Sequence, residues 1–157
     1  MKNICLLDLN YTLVMNQQEA RLLRPFSRRM QAEEYRADLI DAIRDDYVII
    51  ITARPNYQMQ QTMENLRRKT GWQPNEWYFN DIDADPPTFK ESALKRWVFP
   101  KHGDNGDLYY AVESNPKTRA MYARYGITAA PYNEFIKKFQ PVGAFAAAPA
   151  FEQMSLI

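Results

Sequence analysis

Four short stretches of this sequence bring side chains of catalytic type to points where an apolar run stops or a helix begins. The first is Leu6-Leu7-Asp8-Leu9-Asn10-Tyr11-Thr12-Leu13, which sets a carboxylate at the end of an apolar run with a hydroxyl four residues on. A carboxylate so placed serves as a nucleophile or as a metal ligand. The second, Ile50-Ile51-Thr52-Ala53-Arg54-Pro55, offers a hydroxyl, backbone amides and an arginine fork, all suited to phosphate oxygens. The third is Lys90-Glu91 at the expected start of a helix, and the fourth is Ala111-Val112-Glu113-Ser114-Asn115-Pro116, where another run ends on a carboxylate.

For these groups to act together, a scaffold must gather them at one edge. Short apolar runs alternate with stretches of helical period, the pattern of parallel strands joined by crossover helices. Strands are expected at Asn3 to Asp8, Tyr47 to Thr52, Trp77 to Asn80, Leu108 to Glu113 and Ile127 to Ala130, with Val48-Ile49-Ile50-Ile51 as the buried centre. Helices are expected at Ala32 to Asp45, Tyr57 to Thr70, Lys90 to Val98 and Lys117 to Tyr125, the last closed by Gly126. The fold class is therefore α/β, a mainly parallel sheet of about five strands with helices on it. In open parallel sheets ligands bind beyond the carboxyl ends of the strands, which is where the runs carrying Asp8, Thr52 and Glu113 stop.

Taken in order, the four stretches resemble the haloacid dehalogenase (HAD) phosphohydrolases, over residues 3 to 133. Those enzymes carry an Asp-x-Asp motif, a Thr or Ser after the second strand, a Lys, and a final acidic motif. Within that superfamily Thr52-Ala53-Arg54 and Phe89-Lys90-Glu91 look like the Ser-Gly-Arg and Val-Lys-Glu of the 3′-phosphatase domain of polynucleotide kinase, and Ala111 to Ile127 is similar to its acidic motif and following helix. The resemblance implies a three-layer Rossmannoid fold with little or no cap, and a Mg²⁺-dependent phosphoric monoester hydrolase acting on a nucleotide or a nucleic-acid end. Asp8 would attack phosphorus to form an aspartyl phosphate, with Asp8, the Asn10 carbonyl and Glu113 holding Mg²⁺. Thr52 and Lys90 would hold the transferring oxygens, and Arg54 and Thr12 would serve substrate binding. Two departures stand out. Asn10 replaces the Asp that protonates the leaving group, and Glu113-Ser114 replaces two aspartates. They support an alternative reading, a HAD-fold phosphate- or nucleotide-binding regulatory protein with impaired turnover.

Composition bounds the rest. The 157 residues are 46% hydrophobic, enough for one domain with a sizeable core. Twenty Lys and Arg stand against 19 Asp and Glu, so no global field drives the chain onto nucleic acid or membrane. No apolar run approaches a membrane span and Met1-Lys2-Asn3 leads straight into a strand, so the expected location is cytoplasmic. Cys5 lies in an apolar run and reads as a core thiol. His102 and the run Asp81, Asp83, Asp85 read as solvated loop, and the three tryptophans as core or rim. Val14 to Gln31 has no clean period and reads as a loop or short flap. The HAD-like domain is taken as residues 1–138. An Ala- and Pro-containing tail, 139–157, is expected to be mobile or to dock on a protein partner.

Overall fold

The computed structural model describes residues 3–143, the last five by backbone alone. Five parallel strands, β1 (Ile4–Leu7), β2 (Tyr47–Pro55), β3 (Glu76–Asn80), β4 (Tyr109–Val112) and β5 (Thr128–Ala130), form one sheet in the order β3-β2-β1-β4-β5. β1 thus lies at the centre, and the order reverses direction between β1 and β4, where a crevice opens at the carboxyl edge. Burial on both faces explains why the strands read as continuous apolar runs. Cys5, Leu7, Val48 and Ile50 point to one side, against Leu39, Ile43 and Leu66, while Ile4, Leu6, Ile49 and Ile51 point to the other, against Phe89, Leu94 and Tyr122. Cys5 is fully buried, and desolvation raises the pKa of its thiol, as expected of a core cysteine.

The helices are α1 (Gln17–Ala20), α2 (Phe26–Ala32), α3 (Ala37–Ile43), α4 (Met59–Thr70), α5 (Pro86–Ala93), α6 (Phe99–His102), α7 (Pro116–Arg124) and α8 (Tyr132–Gly143). Several differ from the sequence expectation, each for a local reason. α5 starts at Pro86 rather than Lys90, because proline is pre-organised for the first helical turn, where its missing N–H costs nothing. Of the expected Ala32 to Asp45 helix, Ala37–Ile43 forms α3, while Ala32 is the last residue of α2. Tyr35 instead pairs antiparallel with Val14, and Asn16 joins the two segments by donating to Ala32 O and accepting from Glu34 N. Val14 to Gln31 is consequently not a plain loop. It holds α1 and α2, and it is fastened to α4 by Asn65 Nδ2, which donates to Met30 O, and by Lys69 Nζ, which donates to Gln31 O.

α8 was not expected. Its first turns place Tyr132 and Phe135 against the sheet, with the Phe135 ring stacked on Tyr110 at 5.7 Å and Arg36 lying 3.9 Å over the Tyr132 ring. The helix carries the backbone past Phe139 to Gly143, and residues 144–157, where the rest of the expected tail falls, lie outside the described residues. His102 is also not solvated as expected. It ends α6 with its Nε2 2.6 Å from Glu76 Oε2, in a cluster that also takes in Tyr47, Tyr78 and Lys101. Trp72 is buried, and Trp97 stacks on Tyr78 at 4.8 Å. Among the described residues no helix is long and apolar enough to cross a membrane.

Candidate active site

At the end of β1 the chain makes a wide turn that shapes the site. Asp8 N donates to Val112 O, so the strand pairing runs up to Asp8, and the turn then closes through Val14 N to Leu9 O at 2.9 Å. Within the turn Asn10 is extended and Tyr11 has φ +63°, a left-handed conformation that costs a residue other than glycine about 1–3 kcal/mol. The turn folds Thr12 back beneath the strand tip, where its fully buried hydroxyl donates to Asp8 Oδ2 at 2.7 Å. Ser114 reaches the same oxygen from the end of β4, through its hydroxyl at 2.7 Å and its backbone N–H at 3.2 Å.

The other carboxylate oxygen, Asp8 Oδ1, accepts from Lys90 Nζ at 2.9 Å, and Lys90 also donates to Glu113 Oε1 at 2.7 Å. All three side chains are at least nine-tenths buried. One ammonium therefore holds two carboxylates. Burial works against the charge of Lys90, but Asp8 and Glu113 more than offset it and raise its pKa above the ordinary lysine value. Desolvation likewise opposes ionisation of Asp8, yet Lys90, Ser114 and Thr12 hold it below the usual carboxylate range. Glu113 is raised, first by burial and then by the Asp8 charge. The pair is thus polarised: Glu113 takes up a proton first, and Asp8 stays the anion.

These groups line a cleft of about 350 Å³ together with Asn10 and Thr52. Thr52 is buried and its oxygen accepts from Arg54 N at 3.1 Å, which leaves its hydroxyl proton for a ligand. The cleft thus gathers Asp8, Asn10, Thr52, Lys90 and Glu113, residues drawn from all four stretches singled out in the sequence. Thr12 sits behind it as a support for Asp8.

Arg54 lies elsewhere. Where β2 pairs with β3 the register slips between Thr52 and Pro55, and the bulge turns the guanidinium inward, leaving the residue 2% exposed. There it forms an ion pair with Glu33, which is fully buried, and donates to Thr62 Oγ1 at 3.1 Å and to Asn10 Oδ1 at 2.9 Å. An Nε–H can only donate, so the Asn10 amide is oriented with its oxygen on Arg54. Its Nδ2 has no hydrogen bond among the described residues. Arg54 thus places Asn10 and ties the 14–36 segment to the sheet. Removing it strands a buried carboxylate, so Arg54→Met is expected to cost about 3 kcal/mol in a urea unfolding curve. Arg54→Met with Glu33→Gln should recover part of that loss, and a single variant as stable as the natural protein would contradict the role.

Two functional positions carried little signal of this kind in the sequence. Glu33 was invisible because its partner lies 21 residues away in another element. Ser114 was noted only as a departure, yet its hydroxyl is 2.7 Å from Asp8 Oδ2 and 3.3 Å from the Asn10 carbonyl oxygen. The loop that presents it is fixed by Arg119, which donates to the carbonyls of Glu113 and Ser114, and by Asn115, whose backbone N–H donates to Glu113 Oε2 and whose side chain caps α7. Asn115-Pro116 suits that role, an Asn at the cap followed by proline at the first helical position.

No protein-family model matches this chain, and no curated protein matches it. Among the described residues there is also no cluster of three or more His, Cys, Asp or Glu able to hold a metal. Oxygen atoms of the kind magnesium takes are nonetheless grouped at the strand tips. Neighbouring ligand oxygens of an octahedral ion bound at about 2.1 Å lie roughly 3 Å apart. The Ser114 hydroxyl donates to Asp8 Oδ2 at 2.7 Å and to Asn10 O at 3.3 Å, so these three oxygens lie close enough together to face one such ion. One carboxylate with neutral oxygens suits magnesium, which keeps several waters and completes its shell with substrate phosphate. Glu113, expected as a ligand, has its two oxygens on Lys90 and on Asn115 N.

Proposed function

We propose that this protein is a magnesium-dependent phosphoryl-transfer enzyme of the HAD type, working through an aspartyl phosphate on Asp8. The observation that carries the reading is the asymmetric support of one buried carboxylate. Oδ2 is anchored by Thr12 and Ser114, while Oδ1 bears only the Lys90 ammonium and keeps a lone pair for phosphorus. Lys90 orients Oδ1 and offsets the charge of the incoming phosphate, and the Thr52 hydroxyl donates to a transferring oxygen. Asp8 Oδ2, Asn10 O and Ser114 Oγ would hold Mg²⁺, whose chemistry is to neutralise charge on the phosphoryl oxygens. Glu113 sets the charge and position of Lys90.

A nucleotide or a nucleic-acid-end phosphate is the substrate class in this reading. Its support is the neighbouring hollow of about 470 Å³ beyond Ala53, beside which Tyr57 stands 84% exposed, a free aromatic face of the kind bases stack on. Phosphate release from a panel of nucleotides and phosphorylated oligonucleotides, with and without magnesium, tests the proposal. Release that requires Mg²⁺ and stops on chelation is expected, and release indifferent to the metal would contradict it. The neutral Asn10 amide favours a second reading, a phosphate-binding regulatory protein, and calorimetric binding without any release would select it.

A further inference from the structure

Between Glu19 and Glu33 the chain carries Arg21, Arg24, Arg28 and Arg29 and no carboxylate. Arg21, Arg24 and Arg28 are exposed, and none of them meets a carboxylate among the described residues. Arg29 reaches only Glu33, at 3.7 Å from Oε2, an oxygen that Arg54 already holds. Burial, and after it the charges of Arg54 and Arg24, lower the pKa of Arg29, so these guanidiniums share one neighbourhood with too little negative charge to balance them. Like charges crowded into one short segment repel, and an anion from outside relieves the repulsion. The segment is also held beside the cleft. Arg54 donates to Asn10 Oδ1, on the cleft wall, and pairs with Glu33, where the segment ends. On its other side the segment is fastened to α4 through Asn65 and Lys69, and α4 starts just after Tyr57, the aromatic residue of the neighbouring hollow. Leu22, 65% exposed, adds apolar surface among the arginines.

Resting on the phosphoryl-transfer reading above, we propose that Arg21, Arg24, Arg28 and Arg29 form a backbone-binding face for a single-stranded nucleic acid whose terminal phosphate lies in the cleft. A guanidinium fork matches phosphate oxygens two at a time, and a strand presents such phosphates in a row. The single-stranded form follows from Tyr57, whose exposed ring stacks only on a base that is free of its own helix. The chain as a whole is nearly neutral, with 20 cationic against 19 acidic side chains, so the attraction is confined to this face. A mononucleotide that fills the cleft and the hollow leaves the face empty. The face therefore favours a nucleic-acid end over a mononucleotide as the substrate of Asp8.

Fluorescence anisotropy of labelled single-stranded oligonucleotides with a 3′- or 5′-terminal phosphate, beside a labelled mononucleotide, tests the face without turnover. Binding is measured between about 50 and 200 mM salt, in the natural protein and in the double variant Arg21→Gln with Arg28→Gln. Neither guanidinium makes a hydrogen bond or ion pair among the described residues, so the double variant removes charge and leaves the polar contacts of the fold in place. The natural protein should bind an oligonucleotide at least about tenfold more tightly than the mononucleotide, with log K falling against log salt at a slope of about −2 to −3, as three or four backbone contacts to a single strand require. The double variant should flatten that slope by about 1.4 and lose roughly tenfold in affinity at the lower salt. The slope of the natural protein needs no variant, so it decides the matter even if the double variant folds poorly. An affinity for oligonucleotide that is indifferent to salt, or a double variant that binds like the natural protein, would overturn the face and leave the Asp8 chemistry standing. Tighter binding to a polyglutamate peptide of equal charge would overturn it in favour of an acidic protein partner. Absence of magnesium-dependent release from every phosphate ester would instead overturn the reading on which the face rests.

Discussion

Asp8→Asn is expected to abolish phosphate release by a factor on the order of ten-thousandfold or more, the scale at which loss of a covalent nucleophile is felt. An amide is too weak a nucleophile toward a phosphate dianion. The fold should survive the change, because Lys90 keeps Glu113 as a one-to-one partner and one of two like charges on a single ammonium is removed. The hydroxyls of Thr12 and Ser114 find an amide oxygen where they met a carboxylate. Phosphate release measured beside a urea unfolding curve separates the two effects. Lost activity with an unchanged or higher midpoint is the expected outcome, and retained activity would remove Asp8 from the chemistry.

Lys90→Met should carry the largest stability cost of any single change in the cleft. It leaves two buried carboxylates, Asp8 and Glu113, facing each other without a cation, a situation worth about 3–5 kcal/mol against folding at neutral pH. Activity should fall with it, since the Asp8 pKa rises once the ammonium that depresses it is gone. The origin of the cost can be checked directly. Adding Glu113→Gln to Lys90→Met removes one of the stranded charges, so the double variant should unfold at higher urea than Lys90→Met alone. A double variant less stable than the single one would mean that the three groups do not share one charge balance.

What the sequence made legible follows from where the forces are local. The strands were readable because a sheet covered on both faces demands unbroken apolar runs, and Val48-Ile49-Ile50-Ile51 supplies the central one. The groups Asp8, Thr52 and Glu113 were readable as site candidates because each ends such a run at the carboxyl edge. Lys90 was readable too, although its helix begins earlier, at Pro86. Other features depended on tertiary contacts that no local pattern announces. Arg54 was expected to face a substrate, but the bulge after Thr52 turns it to Glu33, and the register slip is decided by pairing with β3. α8 was missed although Tyr132, Phe135, Ile136 and Phe139 recur at helical spacing, and what docks it, ring contacts to Tyr110 and Arg36, lies far away in sequence. His102 had the look of a loop residue until Glu76, at the start of β3, came within hydrogen-bond reach.

The account's central claim is that Asp8 itself becomes phosphorylated. The most direct measurement is mass spectrometry of the protein quenched in acid during turnover of p-nitrophenyl phosphate or ADP with magnesium, followed by peptide mapping. The account predicts an added phosphoryl group on the peptide that contains Asp8, absent from Asp8→Asn and lost on mild alkaline treatment, as an acyl phosphate must be. Phosphate released with no phosphoryl group on Asp8 at any time of quenching, or a phosphoryl group carried on another residue, would contradict it.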